Sequence, residues 1–582
     1  MTQLAEHGTI AIPEATATQA ATSIADCDAA IAVLADNAKS WFEEKPADLI
    51  GLLERLNDAV VAHSQTWVDA CCAGKQIPSD QPVAGEEWAN ITVTARYLRL
   101  LAAAMRDIAA GKKPTLPGKP HPVTGGHTAI PAFPVDAFDK AALSGFTAEV
   151  WLRRGVTGSQ AVENQAKAWF GGGEPGVSLV LGAGNQASIP ITDAIDRLFI
   201  ARHPVILKMN PVNDYLGPIF TTICKELIDR GVLRIVYGGA EVGTHLVRHE
   251  SVADVHVTGS DKTFEAIVFG GGPEGQARKA KLDPIVTKPV TGELGNVSPV
   301  IVVPGPWTAK DIAFQAQNIA SMLSQNAGFN CIALRAIITD NNWDQRDALL
   351  KAVGETLQGT AQRHPYYPGA RARFDTFVEA HPEAERFGDD GPGCVPWTMI
   401  PGLRPDAENE IAFSTEAFNG IFGEVGIDAS GTVDYIRKAV AFANDGIWGT
   451  LGCSIIVHPK SMKNPEINRA VEQGIADLKY GTIGVNHWCA IGFLLGSTPW
   501  GAYPGHTIDD VQSGIGFVHN SIMLAESDID KTVVRGPFRM PFKPTWFATN
   551  KTAHKSGEMF AKLMAKPSWA KLPGLVTTAM RG

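Results

Sequence analysis

The chain has 582 residues, too many for one hydrophobic core, so we predict two or more globular domains. Its 45% hydrophobic and 19% charged residues, with 58 Gly and 37 Pro, are typical of a loop-rich globular protein and exclude a largely disordered one. The formal net charge of −10 argues against general binding to nucleic acid or to an anionic membrane surface.

The eight cysteines include no C-x-x-C pair, the spacing that zinc and redox sites favour, so we predict reduced thiols and no bound metal. Residues 1–7 lack the basic and apolar regions of a secretory signal peptide. No segment reaches the roughly 18 uninterrupted apolar residues of a membrane-spanning helix. We therefore predict a cytoplasmic protein that does not insert into membranes.

Residues from about 20 to 110 are rich in Ala and Leu at helical spacing, for example Leu49, Leu52 and Leu56, and predict two to four structural helices. The stretch 111–134 is dense in Pro and Gly and is predicted to be a connector. Residues 146–152 alternate between apolar and polar like a strand, which we expect at a sheet edge or a subunit contact.

From residue 177 onward, short apolar strands alternate with amphipathic helices. Because each helix carries the chain back across the sheet, the strands must be parallel, and a doubly wound α/β fold follows. Ligands of such sheets bind at the carboxyl ends of the strands, where Asn185, Lys208 and the pair Gly259 and Ser260 fall. The predicted strands are 177–181, 205–209, 233–237 and 254–258, and the predicted helices are 191–201, 215–229, 240–249 and 262–268.

A second alternating set begins at residue 298 and predicts a second α/β domain. Cys331 lies just before one of its strands, in a loop that contains glycine. The segment 358–410 and the tail beyond Pro537 have no clear period, and we expect either to cover a pocket or to bind a neighbouring subunit. The predicted strands are 298–303, 333–338, 453–457 and 481–485, and the predicted helices are 310–324, 346–357, 432–443 and 465–478.

Cys331 and Glu293 are candidates for a nucleophile and a base. A thiol at neutral pH is mostly protonated, so a catalytic cysteine needs an activating neighbour, and a carboxylate can later activate water. Each residue also has a structural interpretation by itself: Cys331 as a buried inert thiol, Glu293 as a surface carboxylate and Asn185 as a helix cap. His487 is better explained as a hydrogen-bonded structural histidine than as a base.

Seven short motifs in chain order, within roughly residues 90 to 505, resemble those of the NAD(P)-dependent aldehyde dehydrogenases. They are residues 181–190, residues 205–211, Thr258-Gly259-Ser260, Glu293-Leu294-Gly295, Gly328-Phe329-Asn330-Cys331, Glu416-Ala417-Phe418 and Pro499-Trp500-Gly501. The resemblance implies two doubly wound α/β domains with a small β-element for oligomerisation through residues 146–152, and a homodimer or homotetramer. It divides the chain into a helical region with a dinucleotide-binding domain (1–292), a catalytic domain (293–490) and a return segment with a C-terminal extension (491–582).

The resemblance also implies roles for the catalytic residues. Cys331 would attack a small-molecule aldehyde, and the side-chain amide of Asn185 and the backbone N–H of Cys331 would stabilise the resulting oxyanion. Oxidation of this adduct by NAD or NADP would leave a thioester, which water activated by Glu293 would hydrolyse. Two alternatives remain open: transfer of the acyl group to coenzyme A, and a non-catalytic family member that binds a nucleotide.

The implied cofactor-binding residues are spread over both domains. Lys208 suits the adenosine ribose, and Gly259 and Ser260 suit the pyrophosphate or the nicotinamide because they begin a helix. Glu416 and Phe418 resemble the family's contacts to the nicotinamide ribose and ring, and Leu294 completes the set.

Two departures from the family pattern concern this cofactor site. Pro211 occupies the place where NAD-preferring members often carry a glutamate for the adenosine 2′-hydroxyl, so NADP is permitted. Gly184 replaces the usual Trp, which predicts an open wall beside Asn185.

Overall fold

The computed structural model describes residues 7–391 and 393–582. Residues 1–6 and residue 392 lie outside the described residues, so the prediction about a signal peptide in residues 1–7 falls almost entirely outside them. Within the described ranges, the strands form a six-stranded sheet, an eleven-stranded sheet and one two-stranded pairing. We call the six-stranded sheet the first sheet and the eleven-stranded sheet the second sheet.

The first sheet is parallel except for one short edge strand, Gly514–Ile515, which is antiparallel to its neighbour. Along its strands, successive apolar residues face opposite sides: Val205 and Leu207 pack into one core cluster and Ile206 into another. Both faces are therefore covered, which confirms the predicted doubly wound arrangement. In spatial order the strands are Gly514–Ile515, Val290–Glu293, Val252–Thr258, Val177–Leu181, Val205–Lys208 and Leu233–Val236.

The carboxyl ends of the parallel strands in the first sheet lie level with one another. Leu181 is paired with Lys208 on one side, and Thr258 is paired with Glu293 further along the sheet. This edge is where ligands of doubly wound sheets bind. The register therefore places Lys208 and Glu293 along a single ligand-binding edge.

The second sheet contains seven successive parallel strands with antiparallel strands at both ends. Its residues also alternate between two core clusters, with Ile301 and Val303 in one and Val300 and Val302 in the other. In spatial order the strands are Glu385–Phe387, Trp397–Leu403, Ile421–Ile427, Leu334–Asp340, Ser298–Val302, Gly452–Ile456, Thr482–Val485, Ile529–Arg535, Thr147–Leu152, His127–Phe133 and His121–Val123. The predicted second α/β domain is confirmed.

The α-helices follow the predicted alternation, and four of them lie within residues 20–110, in agreement with the two to four expected there. None within the described ranges is both long enough and apolar enough to cross a membrane. They are Ile24–Phe42, Pro46–Ala62, Ser64–Gly74, Gly85–Ala109, Ala137–Ala142, Gly158–Asn164, Ile189–Asp196, Gly217–Ile223, Lys225–Asp229, Ala240–Arg248, Asp261–Phe269, Gly272–Lys279, Ala309–Ser324, Arg346–Gln358, Ala370–Ala380, Ile411–Ser414, Thr432–Asp445, Pro465–Asp477, Ala490–Leu495, Ala553–Ala565 and Leu572–Ala579.

The predicted connector 111–134 is wrong in part, because it contains the strands His121–Val123 and His127–Phe133. The two strands pair with each other at the end of the second sheet. Proline within a strand is tolerated near sheet edges, and each of these strands contains one, Pro122 and Pro131. The Pro and Gly content of this stretch therefore led to a connector being predicted where two strands form.

The strand predicted at 146–152 forms as Thr147–Leu152, but its predicted position at a sheet edge is wrong. It lies inside the second sheet, between His127–Phe133 and Ile529–Arg535. The partner Ile529–Arg535 comes from the C-terminal part of the chain. Local periodicity identified the strand correctly but carries no information about a partner so distant in sequence.

The segments without clear period are ordered parts of the fold. Residues 358–410 contain the helix Ala370–Ala380 and the strand Trp397–Leu403, which joins the second sheet. In the C-terminal part, the helix Ala553–Ala565 packs along Gly85–Ala109. Both segments therefore lie close to elements that surround the site described next.

The chain crosses from the first sheet to the second directly after Glu293. The strand Val290–Glu293 belongs to the first sheet and Ser298–Val302 to the second. The return segment contributes to both, with Gly514–Ile515 in the first sheet and Ile529–Arg535 in the second. Glu293 consequently lies where the two sheets approach each other.

Candidate active site

A cleft of about 530 Å³ runs along the carboxyl edge of the first sheet. Its volume is within the range typical of ligand sites. Eight of the nine predicted site residues line it: Asn185, Lys208, Gly259, Ser260, Glu293, Cys331, Glu416 and Phe418. Residues from both domains and from six separate motifs therefore meet in one cavity.

Leu294 is the exception among the predicted site residues. Its side chain is fully buried in the core cluster on one face of the first sheet, and it does not line the cleft. Its backbone N–H donates to the carbonyl of Ser513 at 2.8 Å. The structure thus gives Leu294 a packing role, because the residue after a strand end alternates away from the ligand edge.

A second cavity, of about 130 Å³, reaches Cys331 and Glu293 from another side. Most of its wall is apolar, and the aromatic part comes from two regions of the chain, residues 488–500 and residue 546. The apolar and aromatic residues are Val93, Ile189, Ile332, Trp488, Ile491, Phe493, Leu494, Trp500 and Trp546. The two cavities share Cys331 and Glu293, so a ligand in either can approach the same thiol and carboxylate.

The thiol of Cys331 is partly buried and faces the carboxylate of Glu293. Burial, and then the negative charge of Glu293, raise the pKa of the Cys331 thiol well above its usual value. Burial also raises the pKa of Glu293 to about 7, although the thiol and the Trp500 indole act in the opposite direction. At neutral pH the site therefore holds a neutral thiol beside a carboxyl group that is close to half ionised.

Asn185 lies at the start of the turn that leads into the helix Ile189–Asp196. Its side-chain amide donates one hydrogen bond, to the carbonyl of Phe329 at 2.9 Å, which leaves its second N–H available. Among the described residues, no hydrogen bond from the backbone N–H of Cys331 is recorded. The two donors proposed for an oxyanion are thus both present beside the thiol, and Asn185 does not serve as the cap of this helix.

The loop before Cys331 has an unusual backbone. Asn326, Ala327 and Gly328 follow one another with φ of 54°, 56° and 80°, a left-handed region that non-glycine residues rarely adopt. Arg335 holds the loop by donating to the carbonyl of Gly328 at 2.6 Å and to that of Asn419. Backbone strain of this kind persists only where surrounding contacts fix it. Here the contacts from Arg335 set the orientation of the residues that precede Cys331.

Lys208 ends its strand with the ammonium group in the cleft. Burial lowers the pKa of Lys208 to about 8, while the nearby carboxylates of Glu14 and Asp214 oppose this effect. No ion pair of Lys208 is recorded within the described ranges. A cation without a direct partner is available to a ligand at this end of the cleft.

Gly259 and Ser260 form the turn before the helix Asp261–Phe269. The backbone N–H of Gly259 donates to the carbonyl of Glu293 at 3.1 Å, and the hydroxyl of Ser260 caps the helix by accepting from the N–H of Thr263 at 3.1 Å. The predicted set of free N–H groups is therefore partly used inside the protein. The first residue of the helix, Asp261, adds a negative charge that a pyrophosphate would have to avoid.

Glu416 and Phe418 lie at the opposite wall of the cleft. Burial raises the pKa of Glu416 to about 8, and its Oε1 has no hydrogen-bond partner among the described residues. The ring of Phe418 packs edge-on against Tyr367, with centroids 4.9 Å apart. The unpartnered Oε1 of Glu416 and the ring of Phe418 line the same cleft. Together they fit a ligand that carries both hydroxyl groups and a flat ring, such as a nicotinamide riboside.

Residues 176–369 match the model of the aldehyde dehydrogenase family. Over 304 residues the chain is 24% identical to coniferyl aldehyde dehydrogenase of Pseudomonas sp. strain HR199, a match that covers 47% of this chain and 58% of that protein. Over 240 residues it is 28% identical to aminoacetaldehyde dehydrogenase of Pseudomonas aeruginosa, covering 38% of this chain and 43% of that protein. The chain thus spans about half the length of the curated relatives it matches.

Solved structures extend the similarity over nearly the whole chain. The NAD-dependent aldehyde dehydrogenase of Sinorhizobium meliloti superposes with a TM-score of 0.61 over 92% of both chains, at 18% identity. The NADP-dependent glyceraldehyde-3-phosphate dehydrogenase of Bacillus halodurans superposes with a TM-score of 0.59 over 91% of this chain and 99% of that one, at 15% identity.

Over residues 176–369 the chain is similar to the aldehyde dehydrogenase family, and its fold is that of the solved aldehyde dehydrogenases. The family model includes Asn185, Lys208, Glu293 and Cys331 but ends before Glu416. The structure brings Glu416 into the same cleft. The two-domain α/β aldehyde dehydrogenase fold predicted from the sequence is confirmed.

Several residues that line the two cavities were not predicted. Tyr367, from the segment without clear period, fills the wall beside Gly184, where a Cβ would touch Tyr367 and Asn210. Trp546 reaches the second cavity from the C-terminal part, and Thr9 and residues 11–15 line the cleft from the N-terminal side. For Tyr367 and Trp546 the sequence offers one signal, the local density of aromatic residues. For the N-terminal residues it offers none.

His487 is a structural residue of this aldehyde dehydrogenase fold. Its Nε2 bonds to the carbonyl of Pro537 at 2.9 Å, and its ring packs against Phe146. Burial lowers the pKa of His487 to about 4, so the ring is neutral. His487 lines neither cavity.

Proposed function

We propose that this chain oxidises an aldehyde to a carboxylic acid, with NAD or NADP as the oxidant, through a thioester on Cys331. One observation carries the proposal: two cavities of different character open onto the same thiol and the same carboxylate, Cys331 and Glu293. A reaction between two bound molecules at one sulfur needs that arrangement. A protein that only binds a nucleotide needs neither the second cavity nor the paired groups.

The chemistry of the chain's own residues follows from their positions. Glu293 is the base that faces the thiol, and its pKa of about 7 lets it accept a proton at neutral pH. As Cys331 adds to the aldehyde carbon, the amide of Asn185 and the backbone N–H of Cys331 stabilise the negative oxygen. Each donor lowers the activation free energy by about 3 kcal/mol. After Glu293 has released this proton to solvent, its carboxylate removes a proton from the water that hydrolyses the thioester.

The dinucleotide would be held along the larger cleft. Lys208 would bind the adenosine ribose, Gly259 and Ser260 would contact the phosphates or the nicotinamide, and Glu416 and Phe418 would hold the nicotinamide riboside. When bound, it supplies the two-electron acceptor for the oxidation. The orphaned oxygen of Glu416 supports this placement, because a ribose hydroxyl would satisfy it.

The smaller cavity supports an apolar aldehyde as the substrate. Trp488, Phe493, Trp500 and Trp546 supply flat apolar surface next to the thiol. Two carboxylates in the wall are neutralised: Glu86 pairs with Arg363 at 2.8 Å and Glu87 with Lys75 at 2.7 Å. Among the described residues that line this cavity, Glu293 is the one other charged group, and it is assigned to the reaction, so we propose uncharged aliphatic or aromatic aldehydes.

A variant series tests the reaction. Cys331→Ala should abolish steady-state dehydrogenase turnover, while Cys394→Ala, which removes a thiol that lines neither cavity, should not. Glu293→Gln should keep a first-turnover burst of reduced cofactor and slow the following phase by roughly 10²–10⁴-fold. Full turnover in Cys331→Ala would rule the mechanism out. Acyl-CoA formation on adding coenzyme A would favour acyl transfer instead.

We propose the cytoplasm as the compartment and a homodimer or homotetramer as the assembly. All eight cysteines are unpaired, which supports a reducing compartment. Since Thr147–Leu152 is enclosed in the sheet, a subunit contact through this element would have to use its outer strand His121–Val123. Light scattering of the purified chain at several concentrations measures the assembly directly.

A further inference from the structure

The described N-terminal residues form an extended segment across the larger cleft. We call residues 8–22 the strap. At its beginning, Gly8–Thr9 pairs in parallel with Thr415–Glu416. Thr9 also donates its backbone N–H to Asp261 Oδ1 at 3.0 Å, and its hydroxyl bonds to the same oxygen. This end of the strap is therefore attached to both walls of the cleft.

The other end of the strap is fixed just as firmly. The backbone N–H groups of Thr18 and Gln19 both donate to Asp214 Oδ2 at 3.0 Å. Thr22 and Tyr237 exchange two hydrogen bonds, of 3.1 Å and 2.9 Å, at the end of a strand of the first sheet. Anchors on both sides hold the residues between them, and five of these, residues 11–15, line the cleft.

Glu14 lies in the middle of this span with its carboxylate in the cleft. The carboxylate contacts Gly239, where a Cβ would overlap it, and its charge acts on Lys208. Within the described ranges, no hydrogen bond or ion pair of Glu14 is recorded. A carboxylate and an ammonium group, neither with a direct partner, thus face the same end of the cleft.

We propose that Glu14 binds the adenosine 2′-hydroxyl of the dinucleotide and makes the chain select NAD over NADP. This inference rests on the proposed function, which puts the adenosine ribose at Lys208. A carboxylate accepts hydrogen bonds from ribose hydroxyls and repels a 2′-phosphate. Pro211 cannot supply such a group, and the strap delivers one to the same end of the cleft from a distant part of the sequence.

The charges around this end of the cleft agree with the assignment. Lys208 is the cation that a 2′-phosphate would use, and the adjacent Glu14 offsets its charge. Arg248 also lines the cleft but ends the helix that Gly239 precedes, so about 12 Å of helix separates it from Glu14. Because Asp214 also acts on Lys208, this cation faces two carboxylates, an arrangement that disfavours a 2′-phosphate and suits two hydroxyl groups.

The test is a set of binding titrations that needs no turnover. Dissociation constants for NAD, NADP and the adenosine 2′-deoxy analogue of NAD are measured by calorimetry on the wild-type chain, Glu14→Gln and Glu14→Ala. Glu241→Gln is the matched control, because it removes the same charge from the first turn of the neighbouring helix without lining the cleft. Thermal melting checks that each variant is folded.

The wild-type chain should bind NAD at least about tenfold more tightly than NADP. Both Glu14 variants should lower this ratio about tenfold. In these variants the 2′-deoxy analogue should bind as tightly as NAD, because removing the second partner of one hydrogen bond causes no further loss of affinity. Glu241→Gln should keep the wild-type ratio. An unchanged ratio in both Glu14 variants, or a wild-type preference for NADP, overturns the assignment and leaves the proposed function intact. If the wild-type chain binds neither dinucleotide, the proposed function fails as well.

Discussion

Lys75 and Asn326 are joined by a buried hydrogen bond of 2.9 Å across 251 positions of sequence. Lys75 also forms an ion pair with Glu87 at 2.7 Å, and both side chains are almost fully buried. Asn326 in turn donates its side-chain amide to the backbone carbonyl of Asn185 at 3.0 Å. The N-terminal helices therefore hold both the strained loop before Cys331 and the residue proposed as oxyanion donor.

Replacing Lys75 by Met should destabilise the chain strongly. The variant leaves Glu87 buried without its cation, which costs about 3–5 kcal/mol of the free energy of unfolding. The exposed Lys351, which pairs with Glu355 one helical turn away, is the matched control, and Lys351→Met should change that free energy by less than about 0.5 kcal/mol. Urea denaturation measures both. The double variant Lys75→Met/Glu87→Leu should recover most of the loss, and equal stability of the single variant and wild type would contradict this role of the pair.

Asn185→Ala should lower kcat by about 10²–10³-fold while the affinity for the dinucleotide changes little. The side-chain amide is the proposed donor to the oxyanion, and loss of one such donor has an effect of this size. Asn444→Ala is the control, since Asn444 lines neither cavity and bonds at a helix end. Steady-state kinetics with a separate binding titration distinguish the two effects. A normal kcat would mean that the amide serves only its hydrogen bond to Phe329.

The fold was predictable wherever a segment makes its own structure locally. The strand Val177–Leu181 and the helix Arg346–Gln358 form almost as their patterns indicate, because the apolar pattern of each segment is local in sequence. The proposed catalytic pair, Cys331 and Glu293, comes from the motif resemblance, which gives the order of the two residues along the chain. The structure shows that both residues line one cleft.

The remainder depends on contacts between distant parts of the chain. The insertion of Ile529–Arg535 beside Thr147–Leu152 joins segments from opposite ends of the sequence. Glu14 reaches the cleft because hydrogen bonds on each side, to Asp261 and to Asp214, hold the strap in place. Neither bond can be inferred from the sequence around Glu14. For Leu294 the motif predicted a contact with the cofactor. In the structure its side chain instead points into the core, because side chains alternate between the two faces of the sheet.

Trp546→Ala should raise KM for an apolar aldehyde about tenfold, with a smaller change in kcat. The indole forms part of the wall of the smaller cavity, and losing roughly 1.4 kcal/mol of apolar contact corresponds to that factor. Trp569→Ala is the control, because Trp569 is 57% exposed in the same C-terminal part and lines neither cavity. The comparison uses a series of aldehydes of increasing chain length, together with acetaldehyde. An equal change in KM for every aldehyde in the series would contradict a direct contact.

The pH dependence of the steady-state rate should report the ionisation of Glu293. Burial raises the pKa of Glu293 to about 7, so its basic, ionised form increases as the pH rises through 7. If hydrolysis limits turnover, the rate should rise about tenfold between pH 6 and pH 8 and then level off. Glu416, whose pKa burial raises to about 8, could mimic this behaviour, so two variants are compared. Glu416→Gln should keep a rise centred near pH 7 and Glu293→Gln should lose it, whereas the opposite result would assign the titrating base to Glu416.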